Sequence, residues 1–318
     1  MSMTEMKSIK EALAKIFSDI ENHHGQDRRS FLGGSDCAAI LGVSKWATPL
    51  DVYFKKTNQC TEIVDQIKSS IFRRGHRLEA YVLSLAQIEY NFEAISVNKR
   101  YFHKDYGFLS SEIDFEWIDE NGDIQNGEIK TASDFAAAEW ADGVPIYYQA
   151  QAHHNMIITG RTCCMLIVQI GLEKIEKFLI HADKQLHQHI LDTEIKFWET
   201  NILAGVPPEP TNHEDVDRLY PFDNQKEIEA THEVKMALHR IKNYVETKKE
   251  LEALIENDQM LIKNHMKNCT ALVNDGLTLA TWKTQESKRI DVKRLALEKP
   301  DIKEKYEVEQ RSRPFKIK

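Results

Sequence analysis

The sequence predicts an α/β fold in which a central mixed sheet carries helices on its faces, followed by a helical C-terminal extension. Three observations point there. Across residues 1–204 the periodicities run as helices, three strands, a helix, two strands and a helix, an order that builds one sheet between helical layers. Asn121-Gly122 lies between two alternating runs, Glu112–Ile118 and Gly127–Thr131, which is a hairpin signature. Gly205–Thr211 reads G V P P E P T, a proline-rich boundary beyond which the chain becomes highly charged. The expected domains are a core at 1–204, a linker at 205–223 and, at 224–318, a helical extension with a short hairpin and a basic tail.

The 318 residues suffice for a sizeable core, and the apolar content of 42% is that of an ordinary soluble domain. No run of about 18 apolar residues occurs, so no membrane span is expected. Met1–Ile20 mixes Lys and Glu with apolar residues as an amphipathic helix does and lacks a signal peptide's apolar core, which places the protein in the cytoplasm. The five cysteines form no CxxC pair and read as buried free thiols, with neither zinc nor disulfides indicated. His23-His24, His153-His154 and His187-x-His189 lack the partners of a zinc site and read as surface or helix-face residues. A net charge of −8 argues against a chain coated in nucleic acid, yet Lys283–Lys318 holds twelve Lys and Arg against seven Asp and Glu.

In chain order, Asp27–Asp36 reads D R R S F L G G S D ahead of a short apolar helix over Cys37–Leu41 that Ser35 or Asp36 would cap. Gly34 would let the backbone come close to a ligand, and the helix start with Ser35, Arg28 and Arg29 is either a phosphate pocket or an ordinary capped turn. Thr48-Pro49 opens a helix to Lys56. Ile63–Tyr90 is the long helix of this half; Leu78, Val82, Leu85 and Ala86 form its buried stripe, and Glu79 stands one step off it, for solvent or for the hairpin. Ala94–His103 is a strand ahead of the hairpin, Pro145–Thr159 a helix, Cys163–Ile170 a buried strand, Ile175–His181 a further strand and Asp183–Leu203 an amphipathic helix. In the extension, Val234, Leu238, Ile241 and Val245 follow 4-3-4 spacing before Leu251, Leu254 and Leu261 shift register. Asn224–Asn268 is therefore one long helix or a helical hairpin, open to an intramolecular partner or a coiled coil. Thr270–Thr281 closes as a hairpin around Asn274-Asp275-Gly276.

The chemistry gathers on the first hairpin. Alternation puts Glu112, Asp114 and Glu116 on one strand face and Glu128 with Lys130 on one face of the next. Facing carboxylates repel unless a cation lies between them, and oxygen ligands favour a hard ion such as Mg²⁺. A lysine two residues beyond the second acid can orient or help deprotonate a water. The alternative is the wet face of an antiparallel sheet.

Gly33-Gly34-Ser35-Asp36, Arg74-Gly75-His76-Arg77-Leu78-Glu79, Asp114, Glu128-Ile129-Lys130 and Val144-Pro145-x-Tyr147-Tyr148-x-x-Gln151 occur in that order. With them the chain resembles, over about residues 28–200, the YqaJ-like viral recombinases, phage lambda-type exonucleases of the PD-(D/E)XK nuclease superfamily. The tail, with Lys299-Pro300, Tyr306 and Arg313-Pro314-Phe315, looks like the C-terminal extension of many such phage proteins. The resemblance implies a PD-(D/E)XK core with Asp114 and Glu128 as main metal ligands, the Ile129 carbonyl completing the first site and Glu79 joining Asp114 near a second ion. It makes Lys130 the residue that positions the attacking water and Gln151 the supporting helix glutamine, with His153 where a second glutamine is usual and Ile113 where the superfamily's name has a proline. Arg28, Ser35 and Gly34 fall where the family binds the 5′-phosphate of a DNA end.

The implied activity is a 5′–3′ double-stranded DNA exonuclease, dependent on two Mg²⁺ or Mn²⁺ ions, that leaves 3′ overhangs. The implied assembly is a homotrimeric ring working with a single-strand annealing protein. Two other readings stand beside it. The same core could serve an endonuclease or nickase gripping duplex flanks with the basic tail, or the chain could be a non-catalytic DNA-binding recombination or assembly factor working through Asn224–Asn268.

Overall fold

A computed structural model of the protein describes residues 28–57, 66–308 and 312–317, with backbone alone for 66–77. The helix expected at Met1–Ile20, the first residues of the helix expected from Ile63, and the side chains of Arg74, His76 and Arg77 lie outside the described part.

Helix α1 spans Gly34–Ile40 and begins before the expected Cys37. Its N-cap is Gly33, so Ser35 and Asp36 fall inside the first turn. There the Asp36 carboxylate reaches back to accept the Gly33 N–H at 3.1 Å. Helix α2 covers Pro49–Lys56 as expected, with the Thr48 hydroxyl accepting the Asp51 N–H and the Asp51 carboxylate accepting the Thr48 N–H. Helix α3 runs from Gln66 to Tyr90.

Strands β1 (Ala94–Phe102), β2 (Ser110–Ile118) and β3 (Ile124–Ala132) form an antiparallel meander. Helix α4 (Ile146–Thr159) then carries the chain over the sheet to β4 (Cys163–Ile170), which lies parallel to β3, and β5 (Lys174–His181) adds an antiparallel edge. The five strands pair in sequence order. Helix α5 (Lys184–Phe197) follows, capped by Asp183, and its expected last stretch Trp198–Leu203 adopts π-helical bonding. The mixed sheet between helices is thus the observed architecture.

Each face of the sheet has its own core. On one, Phe115, Ile129, Met165 and Ile167 meet Val82, Leu83 and Ala86 of α3; on the other, Cys164 packs under Ala152 and Met156 of α4. Strand β4 is covered on both faces, so all eight of its residues are buried, and this is why it reads as an unbroken apolar run. Gly127 faces the Phe115 ring so closely that a Cβ there would lie 2.3 Å from it, and only glycine lets the two strands meet at that point.

The segment expected as a linker contains a helix. Helix α6 (His213–Leu219) holds a buried Asp215 whose carboxylate accepts from the Thr48 hydroxyl at 2.9 Å and from the Thr211 N–H at 3.0 Å; Arg218 pairs with Asp51 at 2.5 Å. Polar anchors of this kind leave no apolar periodicity, so the pattern of the sequence did not announce the helix. The compact unit accordingly ends at Leu219. The second unit, Tyr220–Lys318, holds a single 35-residue helix α7 (His232–Met266), the hairpin β6 (Ala271–Asn274) and β7 (Leu277–Thr281), and two short helices, α8 (Val292–Glu298) and α9 (Pro300–Tyr306). No described helix is long and apolar enough to cross a membrane.

Candidate active site

The ladder sets the geometry. Phe115 pairs with Gly127 across β2 and β3, so Asp114 and Glu128, one step beyond, stand opposite each other on one face. Asp114 accepts the Ile129 N–H at 2.8 Å. Lys130 donates to Glu128 Oε1 at 2.6 Å and to Gln151 Oε1 at 3.0 Å, and Gln151 Nε2 donates to the same Glu128 oxygen at 2.6 Å. The second Glu128 oxygen takes Asn155 Nδ2 at 3.0 Å, and Asn155 is in turn oriented by the Ser111 hydroxyl at 2.7 Å. Tyr148 lays its ring 5.0 Å from the Lys130 ammonium. Helix α4 thereby presents Tyr148, Gln151 and Asn155 along the face that looks onto β3.

Charge in this cluster is unbalanced. Enclosure, the Glu128 carboxylate and the charge of Glu79 push the Asp114 carboxyl well above the usual carboxylate range, against the pull of Lys130. Glu128 is raised as well, by burial and by Glu79, with Lys130 and Asn155 opposing. Burial alone would lower the Lys130 amine, but Glu128 and Asp114 more than offset it and raise its pKa, so this side chain is an ammonium that donates and cannot take a proton. Three acids thus share one partly buried cation. Facing carboxylate oxygens with an excess of negative charge fit a divalent metal, and Asp114, Glu128, the Ile129 carbonyl and Glu79 are the groups that would hold it.

Of the three acids on that face of β2, only Asp114 joins the site. Glu112 pairs with Arg100 at 2.8 Å. Glu116 is buried among Lys99, at 2.7 Å, and Arg161, Ser96 and Tyr101. Its burial would raise its pKa, yet these partners hold it down to about 2. Alternation cannot separate the three acids, because what distinguishes them is the partner supplied by a neighbouring strand or loop.

At the other expected subsite, Arg28 Nη2 lies 3.4 Å from the exposed Ser35 hydroxyl. A buried lysine that sequence reasoning passed over holds this segment in place. Lys56 donates to the carbonyls of Arg28, at 2.8 Å, and Phe31, at 2.6 Å, and pairs with Asp36 at 2.7 Å. Burial would raise the Asp36 pKa, but Lys56 and Lys55 bring it below the usual range. Gly34 faces protein, not open space: a Cβ there would lie 2.6 Å from Asn155 Oδ1 and 3.1 Å from Gln151 Cγ. Its glycine lets α1 seat directly against the two α4 amides that hold Glu128.

Of the two expected placements, surface or helix face, His153 and His154 take the second: both lie on α4 and are buried. His154 spans Glu194 of α5, at 2.8 Å, and the Ser110 carbonyl, at 3.0 Å. Both ring nitrogens face oxygen acceptors, and Glu194 raises the His154 pKa against the burial that disfavours its charge, so the ring clamps α4 to α5 and β2. Cys37, His154 and Glu194 offer ligand-type atoms within 4.8 Å of one another, with the His154 ring nitrogens already engaged by Glu194 and the Ser110 carbonyl. His153, where a second glutamine was expected, turns away from the acids to meet His187 at 3.1 Å.

Residues 23–162 match the model of the YqaJ-like viral recombinase domain. That stretch is similar to the domain. All five residues of the acidic cluster, Glu79, Asp114, Glu128, Lys130 and Gln151, fall within the matched stretch. The chain is also 29% identical over 303 residues to the uncharacterized protein YqaJ of Bacillus subtilis, covering 92% of both chains. Among solved structures, the alkaline exonuclease LHK-Exo of Laribacter hongkongensis superimposes with a TM-score of 0.46 at 18% identity, over 60% of this chain and 94% of that one. A structure titled SSO0001 gives 0.39 at 15% identity, over 61% and 87%.

Proposed function

We propose that the protein is a cytoplasmic, Mg²⁺-dependent DNA exonuclease that degrades the 5′-ended strand of linear duplex DNA and leaves 3′ overhangs for single-strand annealing. The observation that carries this reading is the meeting of Asp114, Glu128 and Lys130 on one sheet face, with α1 and its Arg28–Ser35 pair seated against the same α4 amides. The recombinase-domain match and the alkaline-exonuclease title of a structural neighbour agree with it.

When bound, the metal, Mg²⁺ or Mn²⁺ and two ions in the full reading, would supply charge to the phosphoryl oxygens and lower the pKa of a water. Asp114, Glu128, the Ile129 carbonyl and Glu79 would hold it. The Lys130 ammonium, a donor only, orients the attacking water and faces the charge that develops at phosphorus. Gln151 and Asn155 fix the Glu128 carboxylate, so its oxygens need not reorganise during the reaction. Arg28 and Ser35 would take a terminal 5′-phosphate, whose charge they match, and so choose which strand reaches the acids. The trimeric ring enclosing duplex and the annealing partner belong to the same reading.

Linear duplexes labelled at either end, with and without 5′-phosphate and Mg²⁺, test it. Loss of label from 5′-phosphorylated ends first, only with metal, is the expected result, and closed circular duplex should resist. Glu128→Ala should bind DNA and fail to cut it. Full cleavage by Glu128→Ala, or metal-independent cutting, would refute the nuclease assignment, and equal attack on both kinds of 5′ end by wild type and Arg28→Ala would refute the phosphate subsite.

A further inference from the structure

Helix α7 exposes an apolar seam. Val234, Ile241, Ile255 and Ile262 are 48%, 37%, 55% and 40% exposed and recur at intervals of 7, 14 and 7 residues, with Lys248 at the skipped step. A strict seven-residue repeat drifts around a straight helix, so these residues form a single seam when the helix supercoils left-handedly around another. Val245 and Leu251, also exposed, widen the seam on either side.

The charges identify the partner. From His232 to Lys249 the cations Lys235, Arg240, Lys242, Lys248 and Lys249 outnumber Glu233 and Glu246, whereas from Glu250 to Met266 the acids Glu250, Glu252, Glu256 and Asp258 outnumber Lys263. The terminal turns suit the helix macrodipole, with Glu233 in the first and Lys263 in the last, but that effect fades beyond those turns, so the opposite polarity of the two halves is left for a partner to match. Within α7 the described residues form one ion pair, Lys248 with Glu252 at 3.5 Å. A second copy laid antiparallel sets each basic half against the other's acidic half, seam against seam, with dipoles opposed. A parallel copy sets like charge against like. We infer that α7 is a two-fold, antiparallel interface between copies of this chain, about 52 Å long at 1.5 Å per residue. The inference rests on α7 and not on the acidic cluster; joined to the trimeric ring of the proposed function, it pairs two rings into six chains, and a lone trimer would overturn it while leaving the nuclease reading standing.

Light scattering on the full chain at micromolar concentration should return an even multiple of the chain mass. Ile255→Asp/Ile262→Asp should halve it, while circular dichroism stays helical. Reversing the basic half (Lys235→Glu/Arg240→Glu/Lys242→Glu) or the acidic half (Glu250→Lys/Glu252→Lys/Glu256→Lys) should each halve the mass, and mixing the two variants should restore it through heterologous pairs. In a Cys60→Ser background, the exposed Cys269 of two copies should not cross-link to each other with a bis-maleimide, whereas Glu233→Cys should cross-link to Cys269 of the second copy. A single chain or an odd multiple for the wild type, a mass unchanged by either substitution set, failure of the mixture to re-associate, or Cys269-to-Cys269 cross-linking would each overturn the inference.

Discussion

Replacing Lys56 by methionine isolates what holds the Arg28–Ser35 segment in place. Methionine keeps the apolar stem and removes the ammonium, which strands two backbone carbonyls and the Asp36 carboxylate in a site where the lysine side chain is fully buried. Breaking a buried ion pair from one side costs about 3–5 kcal/mol. A unit of this size loses about 2–4 °C of Tm per kcal/mol, so Lys56→Met should melt about 6–20 °C below wild type at pH 7. Adding Asp36→Asn removes the stranded charge and should recover part of that loss. The folded pKa of Asp36 lies below its ordinary value, so its stabilisation is present above that ordinary value and disappears as pH falls through the folded one. The gap between wild type and Lys56→Met should therefore narrow in acid. Thermal denaturation followed by circular dichroism reads all of this, and the same samples should lose preference for 5′-phosphorylated ends before they lose cleavage. A Tm drop below about 2 °C, or a double variant as unstable as the sum of the single ones, would refute this account of the segment.

Other consequences follow from the same geometry. Glu116→Gln should cost on the order of 3 kcal/mol at pH 7, because its carboxylate is held at about 2; that contribution is present above the ordinary carboxylate pKa and is lost as pH falls towards 2, which denaturant titrations across acid pH would trace. Gly34→Ala should destabilise by about 1–3 kcal/mol and slow cleavage, since the new methyl meets Asn155 and Gln151, whereas a glycine serving only as a helix start would gain stability from alanine; Tm and kcat distinguish these. Asp114→Asn should raise Tm in chelator at neutral pH and abolish cleavage by about 10³-fold or more. The reason is that the raised folded pKa of Asp114 makes its contribution favourable only at low pH and lost as pH rises through that value, so the charged form strains the metal-free site. Mg²⁺ should accordingly raise the wild-type Tm more than that of the variant.

Much of the fold is legible in the chain because its signals are local. Thr48-Pro49 starts α2, Asn121-Gly122 turns the hairpin, and the apolar run Cys163–Ile170 becomes β4 without a residue's error. Where the structure departs from expectation, a polar contact between distant segments decides. Helix α6 is held by Asp215 on Thr48, far away in sequence, and α1 starts early because Asp36 is drawn to Lys56 and can cap from within the turn. The nearby histidines stay open between surface and buried helix face, because nothing in their own neighbourhood reveals that Glu194 and His187 will arrive beside them.

For the site, the sequence by itself determined the residue types and the faces: strand alternation puts Glu112, Asp114 and Glu116 on one side of the first strand and Glu128 with Lys130 on one side of the second, joined by an Asn-Gly turn. Only the tertiary structure decided which of Glu112, Asp114 and Glu116 remains available to a metal, since Arg100, Lys99 and Arg161 neutralise the other two from across the sheet. It also decided that Lys130 is an ammonium donor and that α1 seats against the amides holding Glu128. Both follow from burial and from the close seating of Gly34 on α4, and burial is a property of what surrounds a residue, which no local pattern encodes.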